Sequence, residues 1–354
     1  MNISFYYITV ILCMVRASAP GKVHLIGEHA VVYSEPAIIA AIGKRSWVEA
    51  EKHTKVRVYA RNQNAKVEWL VDDVIDSAVQ ARAMWMKGFE TKNFSSLFRF
   101  VKDGQNFKKV AIGIIMHRLN INTGVTVTTY GDIPLGSGLG SSAALAVALV
   151  KAISELYEKN LTQEEVNKIA LDIEKMVHGA PSGGDNTACC YGGLIWFQKD
   201  EQGKPQLESL KEEIPYELEN FVLTYIKKPE KSTGELVSMV MNMEPSVRDP
   251  KIKAIGEATI EMRKALQKKD FPRVKELINI AWDNLSALGL SVPEVDPLIA
   301  KIREMGGAAK LCGACGGGIM LAYHEDKEAL KNVIRDAGFT PWETELGAEG
   351  VKNE

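Results

Sequence analysis

The run Pro134-Leu135-Gly136-Ser137-Gly138-Leu139-Gly140-Ser141-Ser142-Ala143-Ala144 constrains this chain more than any other stretch. It follows residues 124–130, where β-branched residues alternate as in a strand, and it leads into a small-residue apolar run from Ser141 that reads as a buried helix. Three glycines at alternate positions let a backbone approach a ligand with no Cβ in the way. The helix start behind them offers unpaired N–H groups and the positive end of a helix dipole, a combination that favours an anion. The hydroxyls of Ser141 and Ser142 can donate to a phosphate or ligate magnesium. The loop is not G-x-x-x-x-G-K-[ST], since no lysine follows, nor G-x-G-x-x-G, since the third glycine comes one residue early. Glycines that serve only helix packing are the alternative on this motif alone.

Two more segments concentrate polar groups and glycine in apolar surroundings. The first is Ala19-Pro20-Gly21-Lys22-Val23-His24-Leu25-Ile26-Gly27-Glu28-His29-Ala30-Val31-Val32-Tyr33, where a lysine, a glutamate and two histidines must be paired or belong to a site. The second, Lys310-Leu311-Cys312-Gly313-Ala314-Cys315-Gly316-Gly317-Gly318, suggests backbone packed against backbone or ligand, or a bare structural turn. Cys312 and Cys315 form a C-x-x-C spacing, but zinc would need two further ligands, and only Cys189-Cys190 or scattered histidines are available. Two small residues in a glycine-rich turn is the favoured reading. Five cysteines at irregular spacing build no disulfide framework and fit a reducing, cytoplasmic setting.

At 354 residues the chain is expected to form about two domains at roughly 150 residues each. With 43 Lys and Arg against 45 Asp and Glu, it carries no excess positive charge to displace counterions from a nucleic acid backbone. An acidic small molecule needs only one or two placed cations. Short strands are expected at residues 15–18, 38–42, 47–52 and 56–60, and helices at 74–87 and 108–119. A second helix of the central region opens at Thr162, where Thr162-Gln163-Glu164-Glu165 has capping-box form, and runs to about Val177. His178-Gly179-Ala180-Pro181-Ser182-Gly183-Gly184-Asp185 reads as loop, because proline and three glycines break a helix. Strands are expected at 193–197 and 221–226. After residue 228 the pattern turns mostly helical, which sets a domain boundary there: 14–228, then 229–354. Residues 1–13 read as an upstream extension, too short to span a bilayer, and no other stretch is long and apolar enough to do so.

Taken together, the three motifs and their order resemble the GHMP kinase superfamily from about residue 15 to 345. Within it, Gly27-Glu28-His29-Ala30-Val31-Val32-Tyr33, the segment from His178 to Asn186, Ser232-Thr233-Gly234-Glu235-Leu236-Val237 and Asn284-Leu285-Ser286-Ala287-Leu288-Gly289-Leu290 are similar to the mevalonate kinase branch. The resemblance implies an α+β fold of two parts, the N-terminal one with a left-handed β-α-β crossover and the C-terminal one ferredoxin-like. It implies phosphoryl transfer from ATP to the 5-hydroxyl of mevalonate in isoprenoid precursor synthesis, with Mg²⁺ as cofactor, in a homodimer.

The same resemblance assigns roles residue by residue. Asp185 would accept the hydroxyl proton, with Lys22 beside it keeping it ionised and polarising the acceptor oxygen or γ-phosphate. Pro134, Gly136, Ser137, Gly138, Leu139, Gly140, Ser141 and Ser142 would wrap the triphosphate. Ser142 and Glu174 would hold the metal, Glu28 and His29 would contact the mevalonate end, and residues 313–318 would line the site through backbone. The chain departs from the family pattern at Cys312 (usually Thr), at Cys315 and Ser34 (usually Gly), and at Gly131, where relatives often place a nucleotide-contacting Ser. Another small alcohol, a phosphorylated mevalonate or a sugar, is the alternative acceptor. A non-catalytic sensor would be expected to lose Lys22, Glu174 or Asp185, and all three are present.

Overall fold

The computed structural model describes residues 14–134 and 136–354, so the expected extension over residues 1–13 lies outside the described residues. An eight-stranded sheet forms the first half. In it β1 (Val15–Ile26) pairs antiparallel with β2 (Ala37–His53), and the second half of β2 pairs with β5 (Gly124–Gly131). The order continues to β3 (Val56–Ala60), which is parallel to β5, and to β4 (Ala65–Trp69). The crossover between β4 and β5 is helical: α1 (Val71–Thr91), α2 (Ser95–Lys102) and α3 (Asn106–Leu119).

Against the sheet lie α4 (Ser141–Leu156) and α6 (Gly184–Tyr191), and α5 (Gln163–His178) packs over them and against α2 and α3. Helix α4 buries nearly every side chain from Ala143 to Ile153, and its alanines allow close approach to β1 and β2. Helix α5 starts with the expected capping box, Thr162 accepting from the Glu165 N–H and Glu165 accepting from the Thr162 N–H. The first half of β2 also pairs with β6 (Leu194–Lys199), which carries β7 (Pro205–Ser209).

The second sheet is four-stranded. It contains β8 (Phe221–Tyr225), then after α7 (Thr233–Met241), α8 (Pro245–Gln267), α9 (Phe271–Ala287) and α10 (Asp296–Glu304) the hairpin β9 (Ala308–Leu311) and β10 (Ile319–Tyr323). Helix α11 (Lys327–Asp336) and β11 (Pro341–Glu343) complete it. The order β11-β8-β10-β9, antiparallel throughout, is the ferredoxin-like arrangement. The last strand, β12 (Lys352–Asn353), returns to pair with β1 in the first sheet. One hydrophobic core runs through both sheets, from Ile42 and Leu149 to Phe221, Met262 and Ile319.

Several boundaries differ from expectation for physical reasons. Residues 38–42 and 47–52 belong to one strand that bulges at Gly43 and Lys44, opposite Pro20 and Gly21. The Gly43 N–H, out of the ladder there, donates to Thr344 Oγ1 at 2.9 Å and to the Glu345 carbonyl. Strand β1 does not stop at Ser18 but continues through the lysine motif, absorbing Pro20 and Gly21 as a register shift. Strands β4 and β7 and helix α2 lie outside the expected elements. Residues 65–69 do alternate apolar with polar side chains and residues 95–102 are amphipathic, but both segments are short, and only β7 shows no alternation. The second sheet begins at β8, ahead of residue 228, since the change in composition there marks the first helix after β8 and not the strand itself.

The chain end is locked by Arg45, which is almost fully buried. Its guanidinium donates to Ser18 Oγ at 2.8 Å, to the Ser18 carbonyl at 3.1 Å, and to the carbonyls of Glu349 and Gly350 at 2.7 Å each. Replacing Arg45 with Met leaves the two tail carbonyls without their donor, and we expect a loss of about 2–4 kcal/mol. Urea denaturation reads that loss, and hydrogen exchange should show β12 opening ahead of the rest of its sheet.

Candidate active site

Lys22 is the point where strand, loop and helix meet. Its backbone N–H donates to the Leu139 carbonyl at 2.9 Å, and its Nζ donates to the Gly138 carbonyl at 3.1 Å. The glycine-rich loop therefore lies flat on β1. That closeness explains Gly140, whose φ is +72° and where a Cβ would sit 2.8 Å from Lys22 Cγ. Gly140 is also the N-cap of α4 and supplies no side-chain cap, so the first-turn N–H groups of this helix face the loop.

The Nζ of Lys22 also reaches Asp185 Oδ2 at 3.2 Å, with the lysine nearly buried and the carboxylate side chain still 38% exposed. Asp185 is not in the loop expected for residues 178–185. Pro181 and Gly183 turn the chain, and a new helix, α6, starts at Gly184, placing Asp185 in its first turn where the helix dipole favours a negative charge. Burial pushes its carboxyl up, but Lys22, His24 and the Lys22 hydrogen bond outweigh burial and hold it below the ordinary aspartate value.

Ser142, one residue into α4, donates to Glu174 Oε2 at 3.3 Å. Glu174, on α5, is almost entirely buried, and its Oε1 has no hydrogen-bond partner. His178 Nε2 stands 3.4 Å from the same Oε2, and this hydrogen bond raises the histidine's pKa against the opposing effect of burial. The serine and glutamate expected to act together are thus adjacent, although they come from different helices. His178, one turn beyond Glu174 on α5, is a neighbour to which the sequence reading gave no role.

The Glu28 and His29 end of the cleft holds a group that the sequence reading left unassigned. Lys310, fully buried on β9, pairs with Glu28 Oε1 and donates to the His24 carbonyl at 3.3 Å. Burial pulls the Lys310 pKa down, but Cys312 and Glu28 more than offset it and leave it raised. Glu28 Oε2 is buried and unpartnered. His29 has φ +58° and hydrogen-bonds through Nε2 to the Ala314 carbonyl at 3.0 Å, so Nε2 carries the hydrogen. His24 is the other residue the sequence reading passed over. Burial and the Lys22 charge lower its pKa to about 4, so its ring is neutral at physiological pH, and its Nδ1 has no partner. The signal was available: two residues apart on a strand, Lys22 and His24 share one face.

These groups line one cleft of about 760 Å³. Lys22, His24, Glu28, His29, Asp185 and residues 136–142 form one wall, and Ser232, Thr233, Leu236 and residues 312–315 form the other. A second hollow of about 400 Å³ opens on the far side of the loop, between Asn62, Lys108, Tyr130, Pro134 and Ser141. The thiols are poor nucleophiles. Burial pushes Cys312 up to about 11 and raises Cys315 as well, and among the described residues no group of three or more His, Cys, Asp or Glu could hold a metal ion by itself. Both departures from glycine keep a left-handed backbone, with φ +62° at Cys315 and +69° at Ser34.

Comparison with known proteins agrees with this geometry. The GHMP kinases N terminal domain family matches residues 106–193, and the GHMP kinases C terminal family matches residues 262–340. The chain is 34% identical to the mevalonate kinase of Thermococcus sibiricus over 351 residues, covering 96% of this chain and 98% of that protein. It is 30% identical to the Bos taurus mevalonate kinase, covering 94% and 93%. Its fold is similar to the crystal structure of the Methanococcus jannaschii mevalonate kinase, with a TM-score of 0.79 at 26% identity over 96% of this chain and 99% of that one. It is also similar to the L. major mevalonate kinase in complex with R-mevalonate, with a TM-score of 0.72 at 26% identity over 94% and 96%.

Breaking the buried ion pair should be costly in an asymmetric way. Lys310→Met leaves a buried carboxylate uncompensated and is expected to cost roughly 3–5 kcal/mol, whereas adding Glu28→Gln should recover most of it. Chemical denaturation of the single and double variants reads the difference. Ser34→Gly, at a position that strains any side chain, is expected to gain about 0.5–1 kcal/mol in the same assay.

Proposed function

This chain belongs to the mevalonate kinase family of the GHMP kinases, and from that membership we propose that the cleft transfers the γ-phosphoryl group of ATP to the 5-hydroxyl of mevalonate. The single observation that best supports the reading is the Lys22–Asp185 pair, 3.2 Å apart, set against the glycine-rich loop at the head of α4.

In this reading the triphosphate lies along residues 136–142, held by loop and first-turn N–H groups and by the hydroxyls of Ser141 and Ser142. The base occupies the hollow between Asn62, Lys108 and Tyr130, which shares Pro134 and Ser141 with the loop. Gly131 offers no side chain there, and its N–H and carbonyl are both engaged by Asn62. Mevalonate enters from the opposite side of the loop, into the larger cleft. Glu28 Oε2 accepts from a substrate hydroxyl, and His29 and neutral His24 flank the same pocket.

Phosphoryl transfer asks for position and charge balance more than for strong bases. Asp185 orients the 5-hydroxyl and takes its proton as the oxygen–phosphorus bond forms. Because Lys22 holds the carboxylate below the ordinary aspartate range, Asp185 is ionised at neutral pH but is a weak base, so much of its effect is orientation. Lys22 stabilises negative charge on the transferring group and fixes the loop.

Magnesium fits the donors present. Ser142 Oγ and the Glu174 carboxylate would supply the hard oxygen donors it prefers, and Glu174 Oε1 is buried without a partner. Held there, the ion would supply positive charge against the triphosphate.

Asp185→Ala should lower kcat by roughly 10²–10⁴-fold while leaving ATP affinity nearly intact, as read by ADP release alongside nucleotide titration. Ser142→Ala should raise the Mg²⁺ concentration needed for half-maximal rate, and an unchanged requirement would reduce Ser142 to packing. The acceptor itself is tested by ADP release with mevalonate, 5-phosphomevalonate, galactose and homoserine, the product being located by phosphorus NMR. Turnover on an acceptor other than mevalonate would replace the substrate assignment.

A further inference from the structure

Along one wall of the cleft, β1 and the turn after it set three polar side chains in series. Lys22 reaches Asp185 at 3.2 Å at one end, and Glu28 pairs with buried Lys310 at the other. His24 lies between them, and the charges of both pairs act on its ring. As alternate residues of a strand, Lys22 and His24 share a face and stand about 6–7 Å apart. Past His24 the pairing with β2 shifts register, and Gly27, with φ +99°, turns the chain so that Glu28 comes back beside it. Lys310 closes that return, because its Nζ bonds both the Glu28 carboxylate and the His24 carbonyl.

Neither side chain is fully used by the protein. His24 Nδ1 and Glu28 Oε2 are both buried without a partner, which costs free energy until something that enters the cleft satisfies them. The two residues offer complementary halves of one hydrogen-bonding site. Glu28 Oε2, with its sister oxygen on Lys310, is an acceptor. Burial and the Lys22 charge lower the His24 pKa to about 4, so the ring is neutral and carries one N–H donor. His24 is partly exposed and lines the cleft. A hydroxyl fits both residues, because it donates its hydrogen and still accepts at its oxygen. A carbonyl would face Glu28 with no hydrogen to give, and a bare C–H would leave both groups unpaired.

We propose that His24 is a specificity-determining residue of the acceptor site. Its imidazole N–H, together with Glu28 Oε2, holds a second hydroxyl of the acceptor, set two carbons in from the hydroxyl that is phosphorylated. On the reading proposed above, on which this inference rests, that group is the tertiary 3-hydroxyl of mevalonate, with the 5-hydroxyl at Asp185.

The test compares mevalonate with 5-hydroxy-3-methylpentanoate, which keeps the reacting hydroxyl, the methyl and the carboxylate and lacks only the 3-hydroxyl. Steady-state ADP release by the full chain should give a kcat/KM for mevalonate roughly 10–100-fold above that for the analogue. His24→Leu should lower that ratio by about tenfold, and His24→Gln, which keeps a polar donor, should restore part of it. Loss of packing alone would lower both acceptors together and leave the ratio in place. A ratio near one in the wild type, or one unchanged in His24→Leu, overturns the role of His24 while turnover of mevalonate leaves the reaction standing. Wild-type turnover confined to an acceptor other than mevalonate overturns the reaction, and this assignment with it. Nitrogen-15 NMR of the histidine rings gives a second reading on the wild-type protein, with a non-hydrolysable ATP analogue present. The His24 signals, assigned by their absence in His24→Gln, should move with saturating mevalonate and not with saturating 5-hydroxy-3-methylpentanoate. Equal movement with both, or none with either, overturns the contact.

Discussion

The three contacts of Lys22 organise this molecule's working parts. A strand residue, it holds the glycine-rich loop through its backbone N–H and its ammonium, and the same ammonium fixes Asp185 at the start of α6. Two of those partners are neutral carbonyls and one is a carboxylate, so a single buried cation satisfies both a structural and an electrostatic demand. Loss of the charge would remove one of the two bonds that hold the loop to β1 and leave Asp185 with burial as the largest influence on its carboxyl, which would then rise. The small side chains of α4 serve the same end. They bring that helix close enough to β1 for its N-terminus to lie beside the lysine.

A second buried pair joins the halves of the chain. Glu28 follows β1 and Lys310 lies on β9 of the other sheet, so their ion pair joins the two sheets. Such a pair contributes less to stability than its Coulomb attraction suggests, because both ions have left water. Its clear effect is geometric: it fixes Glu28 with one oxygen paired and the other buried without a partner. The C-terminal tail reinforces this closure, since β12 and the Arg45 bonds return the chain end to the first sheet. No helix among the described residues is long and apolar enough to cross a membrane.

Much of the site was legible in the residues because local chemistry forced it. The glycine spacing before Ser141, the capping box at Thr162 and the alternation of β5 each carry a short-range physical signal, and each appears where that signal puts it. The acidic and hydroxyl groups expected near a phosphate, Ser142, Glu174 and Asp185, are brought together around Lys22 and α5. Less legible were His24, Lys310 and His178, whose environments depend on what packs over them. The C-x-x-C spacing at Cys312 and Cys315 invited a redox or metal reading, yet burial leaves both thiols protonated.

By itself, the sequence determined the chemistry of the phosphate loop, the capped helices and the ordered set of motifs, because these depend on residue type and on neighbours a few positions away. Tertiary structure alone decided that the lysine motif is a continuous strand, that Asp185 starts a helix, that Glu28 meets Lys310 and that the last residues complete the first sheet. Those outcomes join residues far apart in the chain. They follow from satisfying buried donors, acceptors and charges across two sheets at once, and that constraint exists only after the chain has folded.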